Sequence, residues 1–196
     1  MRHRKPIPLI EKIGATVSQA IAGLPENMRV MAKPGRYLVS DSAWLVARVT
    51  GTASRHGTRW VYLDAGAYHG LMEALGELDY DIRTDRQDGE IPCTVAGPTC
   101  DATDVIARDK LLPEDLREGD YVYIPNAGAY TTVYAARFNG FPGPETLVLQ
   151  NVRDCAAVTV YTTAAPGRWC ELRLTRALAR AWACDRCLGR VPRIIT

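Results

Sequence analysis

At 196 residues and 47% hydrophobic content, the chain has material for one well-packed domain, or for one domain with a smaller appendage. It contains no run of about 18 apolar residues and no apolar stretch ahead of a cleavage site, which argues against a membrane-spanning helix and a secretory signal and leads us to expect a cytoplasmic location. The net charge of +2 hides an asymmetry: residues 1–150 carry 16 Lys+Arg against 19 Asp+Glu, and residues 151–196 carry 8 against 3.

In chain order, residues 8–23 (PLIEKIGATVSQAIAG) space Leu9, Ile13, Val17 and Ile21 four apart, which predicts a helix with one apolar stripe that Gly23 ends. MRVMA (28–32) reads as a short buried strand running into the turn KPGR. Helix, loop and strand make one unit of an alternating α/β array, and one unit cannot close a core alone. From Tyr37 the pattern changes to short Val-, Tyr- and Trp-rich runs separated by Gly, Pro and Asp: YLVSDSAWLVARVTG, TRWVYLDAG, IPCTVAG, DYVYIPNAG and TLVLQ. This predicts a β-domain, interrupted by a helical piece at 68–78 (YHGLMEALGEL). After Gln150 the chain has no lysine, eight arginines and four of its six cysteines, and ELRLTRALARAW (171–182) predicts an amphipathic helix with a solvated arginine face.

The six cysteines (Cys93, Cys100, Cys155, Cys170, Cys184 and Cys187) are too sparse for a disulfide scaffold and read as thiols. CDRC (184–187) has the spacing of half a zinc knuckle, but a structural site needs four ligands; incidental thiols are the simpler account and no metal is expected. His3, His56 and His69 form no metal-type cluster, and no GxSxG or Walker-type loop occurs. No nucleic-acid or membrane partner is indicated.

Three short stretches carry more chemistry. AKPGRY (32–37) can offer a phosphate backbone N–H groups and a bidentate guanidinium. In NAGAYT (126–131), small residues let the backbone approach a ligand while Tyr130 adds a phenolic donor; a tight turn with a packed tyrosine is the alternative. In GPTCDATD (97–104), Gly97 and Pro98 punctuate, and Thr99, Asp101 and Asp104 can cap a helix starting near Val105. That reading accounts for the backbone and leaves Cys100 unexplained.

KPGRYLVS, LDAGAYHGLMEALGE, VAGPTCDATDVIARD, GDYVYIPNAGAYT and FNGFPGP together resemble, in order, the C-terminal region of ornithine decarboxylase in the fold type III, pyridoxal-phosphate-dependent ornithine, lysine, diaminopimelate and arginine decarboxylases. The resemblance runs from about Pro8 to Leu149. It implies an α+β chain: a remnant of the cofactor-binding (β/α)8 barrel over 1–36, a barrel- or sandwich-like C-terminal β-domain over 37–149, and an atypical tail over 150–196. It further implies a head-to-tail homodimer, or pairing with a complete decarboxylase protomer, acting on L-ornithine or a related basic amino acid with pyridoxal 5'-phosphate.

By the same resemblance, Cys100 enters the partner's site and protonates the carbon that has lost carbon dioxide, and Asp101 binds the distal ammonium of the substrate. Gly35, Arg36 and Tyr130 hold the cofactor phosphate, Glu77 is a second acidic substrate contact, and Tyr68 occupies the aromatic position before it. The chemistry is sound, because a cysteine thiol is mostly protonated at neutral pH and can act as a general acid. One departure stands out: Lys33 occupies the position where the family has the glutamate that pairs with the cofactor's pyridine nitrogen, and an ammonium opposes the ring protonation that a carboxylate favours. The expectation is the C-terminal half of an ornithine decarboxylase making putrescine, inactive as an isolated chain; the alternative is a non-catalytic module that dimerises with or regulates a complete enzyme.

Overall fold

β-Branched and aromatic residues suit a pleated, half-buried surface, and the runs of them after residue 43 form strands in a computed structural model that describes residues 2–150, 158–162, 170–172 and 193–195. The elements are β1 (Arg2–His3), α1 (Ile10–Ala22), α2 (Arg36–Val39), β2 (Trp44–Arg55), β3 (Thr58–Leu63), β4 (Leu78–Asp79), β5 (Arg83–Thr84), β6 (Glu90–Ala96), β7 (Val105–Pro113), β8 (Tyr121–Pro125), α3 (Thr131–Tyr134), β9 (Glu145–Gln150), β10 (Val158–Thr162), β11 (Cys170–Leu172) and β12 (Arg193–Ile195). The large sheet is mixed and follows the order β11-β10-β9-β12-β2-β3-β6-β7, with β8 and β5 branching from β2. It curls into half a barrel without closing, whereas the sequence left a closed barrel or sandwich open. β1 pairs separately with β4.

β2 is the hub. Its first half pairs with β8 and β12, and its second half with β3. Leu45, Val46, Ala47 and Val49 are accordingly buried, while the far end of the β2–β3 hairpin reaches solvent. Leu63, Val61, Val95, Leu112, Leu116 and Ile124 complete the core. The direction of the strands matters for the site. β3 and β8 both run antiparallel to β2, and β6 runs parallel to β3. β3, β6 and β8 therefore point the same way, and the loops that leave them (64–71, 97–104 and 126–130) emerge at one end of the sheet, beside the segment that enters β2.

Several expectations are corrected. α1 forms and Gly23 caps it, but every one of its residues is exposed, including the stripe Ile13, Val17 and Ile21. Residues 28–32 form no strand: a strand needs a ladder partner, and no described segment offers one. Residues 36–42 are helical turns, and β2 begins only at Trp44, because the Ser40 and Ala43 carbonyls are taken by the Gly128 and Ala127 N–H groups at 2.9 and 2.8 Å. The helix expected over 68–78 shrinks to one 3-10 turn, Met72–Leu75. Val105 opens a strand, not a helix. The first two residues of the predicted tail helix (171–182), Glu171 and Leu172, belong to β11; the rest of that helix, and the Cys184–Cys187 pair, lie outside the described residues. Among the described residues, no helix is long and apolar enough to cross a membrane, and no group of His, Cys, Asp or Glu side chains could hold a metal ion.

Candidate functional site

The loop between β6 and β7 is built around a buried carboxylate. Asp104 is 1% exposed and accepts hydrogen bonds from the Thr99 N–H (3.1 Å), the Thr99 hydroxyl (2.7 Å) and, across to the neighbouring loop, the Ala67 N–H (2.8 Å). Having spent its oxygens on these donors, Asp104 has none for a helix cap, and the chain passes straight into β7. Gly66 and Gly97 are needed for the close approach: a methyl on either would lie 2.1 or 2.4 Å from an Asp104 oxygen. His69 packs beneath, fully buried; its Nδ1 accepts the Gly66 N–H at 3.2 Å, and burial depresses its pKa against the pull of Asp104. One carboxylate thus locks the loop carrying Cys100 and Asp101 to the loop carrying Tyr68.

On the outer side of that lock, Cys100 is exposed, and Asn139 Nδ2 donates to its Sγ at 3.4 Å. Asp101 Oδ1 accepts the Thr103 hydroxyl (2.6 Å) and the Thr103 N–H (2.7 Å). The Thr103 hydroxyl, then its backbone N–H, hold the Asp101 carboxyl below the usual carboxylate range, so it is an anion at neutral pH. The Tyr68 hydroxyl lies 3.1 Å from the Thr103 hydroxyl, and the Tyr68 ring stacks on Phe138 with centroids 4.0 Å apart. Cys100 and Asp101, adjacent in one stretch, and Tyr68, from another, share one surface cluster.

Gly35, Arg36 and Tyr130 form a second cluster. Tyr130 sits in the left-handed region at φ 67°, which costs a bulky residue about 1 kcal/mol. The guanidinium of Arg36 lies 5.2 Å from the centroid of the Tyr130 ring, and Tyr134 stacks on Tyr130 at 5.9 Å. A methyl at Gly35 would stand 3.3 Å from the Tyr130 hydroxyl, so that phenol reaches the turn itself. Arg36 also pairs with Glu73. Glu77 belongs to neither cluster: it is exposed and pairs with Lys5. Lys33 is exposed. The sequence reading missed Glu73 and the role of Asp104; an acid in each of the quoted stretches was visible, but which one faces inward is set by the turns.

Residues 36–128 match the family described as pyridoxal-dependent decarboxylase, C-terminal sheet domain. That segment is similar to the C-terminal sheet domain of the pyridoxal-dependent decarboxylases. The lysine/ornithine decarboxylase of Selenomonas ruminantium is 35% identical over 144 residues, which cover 72% of this chain and 36% of the relative. Among solved structures, lysine/ornithine decarboxylase from Vibrio vulnificus complexed with cadaverine superposes with a TM-score of 0.64 at 38% identity, covering 72% of this chain and 39% of that one. Diaminopimelate decarboxylase from Helicobacter pylori complexed with L-lysine gives 0.65 at 26%, covering 81% and 37%. The chain spans little more than a third of these relatives, and their activities cover ornithine, lysine and diaminopimelate. The matched segment carries Cys100, Asp101, Tyr68, Arg36 and Glu73; Gly35 lies just before it, and Tyr130, Tyr134 and the Phe138–Asn139 turn follow it.

One further carboxylate stands at the base of the Tyr68 loop. Asp64 accepts the Arg48 N–H at 2.7 Å, and burial, outweighing that bond, raises its pKa to about 6. A group that binds its proton more tightly when folded adds stability that is complete below its unfolded pKa of 3.8 and lost as pH rises through about 6. Asp64→Asn keeps the acceptor without the charge. In urea titrations from pH 4 to 7.5 it should gain on the wild type as pH rises, reaching about 2–3 kcal/mol at neutrality; parallel pH profiles would disprove the assignment.

Proposed function

We propose that this chain is the C-terminal portion of a pyridoxal-phosphate-dependent decarboxylase for L-ornithine or a related basic amino acid, and that it lends Cys100 and Asp101 to the active site of a partner protomer in a homodimer. The observation that carries the reading is the pairing of an exposed thiol with an ionised carboxylate on one loop, anchored from behind by Asp104. Asp101 is an acceptor for the distal ammonium of a diamine or basic amino acid. Cys100 Sγ holds a proton for delivery to the carbon that has lost carbon dioxide. Tyr68 walls the space beside them.

Arg36 and the Tyr130 hydroxyl, with the bare backbone of Gly35, make a donor set that fits a phosphate ester. When bound, the cofactor supplies the electron sink that decarboxylation needs. The ring nitrogen finds no matching acid at Lys33, and this favours the second reading, a module that completes or regulates another protomer more than it turns over substrate itself. We assign residues 1–36 to the edge of the barrel, whose remainder would cover the exposed stripe of α1. Alone, these 196 residues are proposed to be inactive.

The test is complementation. A complete ornithine decarboxylase whose matching cysteine is replaced by alanine is co-expressed with this chain, the mixed dimer is purified, and product is measured with ornithine and lysine in competition. Rescue should exceed the uncomplemented mutant at least tenfold and vanish with Cys100→Ala. A mixed dimer without rescue would overturn the assignment of Cys100.

A further inference from the structure

Arg36, assigned above to a phosphate, already holds an anion from its own chain. Its Nη2 donates to Glu73 Oε2, and the two side chains are only 15% and 29% exposed. The guanidinium is backed by the Tyr130 ring, and it also faces the buried Tyr80 phenol, whose pKa is raised by burial against the opposing pull of the same arginine. Arg36 is therefore oriented and charge-neutralised before any ligand arrives. The two partners come from distant segments: Arg36 opens α2, whose C-terminal end is seated on Gly128 through the Ser40 carbonyl, and Glu73 sits on the 3-10 turn Met72–Leu75.

We propose that Glu73 is an internal competitor for the phosphate turn, so that a phosphate ester binds Arg36 only by displacing the Glu73 carboxylate, and the identity of residue 73 sets the anion affinity of the site. The inference rests on reading the turn as a phosphate site. Its physical basis is that a guanidinium offers one forked face to a carboxylate or to a phosphate. If both anions stay, two like charges share a partly buried space, which each disfavours. If the carboxylate leaves, the new ion pair is gained at the expense of the old one. Either way part of the binding free energy is consumed, and removing the charge at residue 73 returns it. Displacement also unties the 72–75 turn from α2, so ligand binding loosens the link between the Tyr68 loop region and the segment leading into β2.

The experiment titrates the purified chain with inorganic phosphate and with 4-deoxypyridoxine 5-phosphate, which has no aldehyde to react with lysines, by calorimetry and by the Arg36 side-chain N–H signal in NMR. Glu73→Gln should bind either probe about tenfold more tightly than the wild type, with Glu73→Ala as a second variant and Glu118→Gln as an exposed control that leaves affinity unchanged. Arg36→Met should abolish binding in every background. Equal affinity of the wild type and both Glu73 variants, with loss in Arg36→Met, would overturn the competitor role and leave the phosphate turn standing. Absence of binding to the wild type and to both Glu73 variants would remove the phosphate turn and this inference together.

Discussion

Replacing Asp104 by alanine should lower the stability of the sheet domain by about 3 kcal/mol or more, read from urea unfolding at neutral pH. The Thr99 and Ala67 N–H groups and the Thr99 hydroxyl all donate to this carboxylate in a region closed to water. Each buried donor left without an acceptor costs about 1–3 kcal/mol, and an alanine methyl cannot fill the space between Gly66 and Gly97. Asp104→Asn should fall between the two, because its amide oxygen keeps one acceptor while its NH2 faces donors. The loss has a local signature as well. Amide exchange at Ala67 and Thr99 should accelerate more than at Val61 and Val95 in the strands behind them, and Cys100 should alkylate faster as its loop comes free. A loss below about 1 kcal/mol, with unchanged exchange, would show that the lock is not needed.

Gly128→Ala should be comparably damaging, by a different route. A methyl there would stand 1.9 Å from the Val39 carbonyl oxygen and 2.3 Å from the Ser42 hydroxyl, so the backbone of residues 36–42 would have to lift away. Lifting it breaks the Gly128 N–H bond to Ser40 and the Ala127 N–H bond to Ala43, and it unseats α2 together with Arg36. Overpacking against main chain on top of two lost bonds amounts to about 3 kcal/mol. Phosphate binding at Arg36 should weaken in the same variant, since the guanidinium loses its position over Tyr130. Gly51→Ala is the matched control: its added methyl meets nothing within 4 Å, and its stability should stay near that of the wild type. Equal behaviour of the two variants would mean that the 36–42 segment is not held by the 127–128 backbone.

Much of the sheet was legible because strand runs declare themselves locally: β3, β6, β8 and β9 coincide with TRWVYLDAG, IPCTVAG, DYVYIPNAG and TLVLQ, each bounded by Gly, Pro or Asp. The stretch GPTCD drew notice for the same local reason, as a rigid turn carrying a reactive pair. MRVMA was misread because apolar, β-branched content predicts a strand only where a neighbour supplies the ladder. The helix expected near Val105 failed because Asp104 looks like a cap by spacing and is a buried lock by position.

By itself, the sequence determined residue types, the punctuation between strands, the length and stripe of α1, and the presence of a thiol beside a carboxylate, all of which depend on neighbours within a few positions. The tertiary structure alone decided that β3, β6 and β8 run in one direction and deliver three loops to one end of the sheet, which follows from pairings that reach from Arg59 to Cys93 and from Trp44 to Pro125. It also decided that Glu73 meets Arg36 while Glu77, four residues further and past the 3-10 turn, meets Lys5 at the surface. Likewise, it decided that Asp64 is buried enough to hold its proton to about pH 6, whereas Asp101, solvated and held by Thr103, is ionised. A carboxylate's charge state and partner depend on what surrounds it in space, and local sequence does not specify that environment.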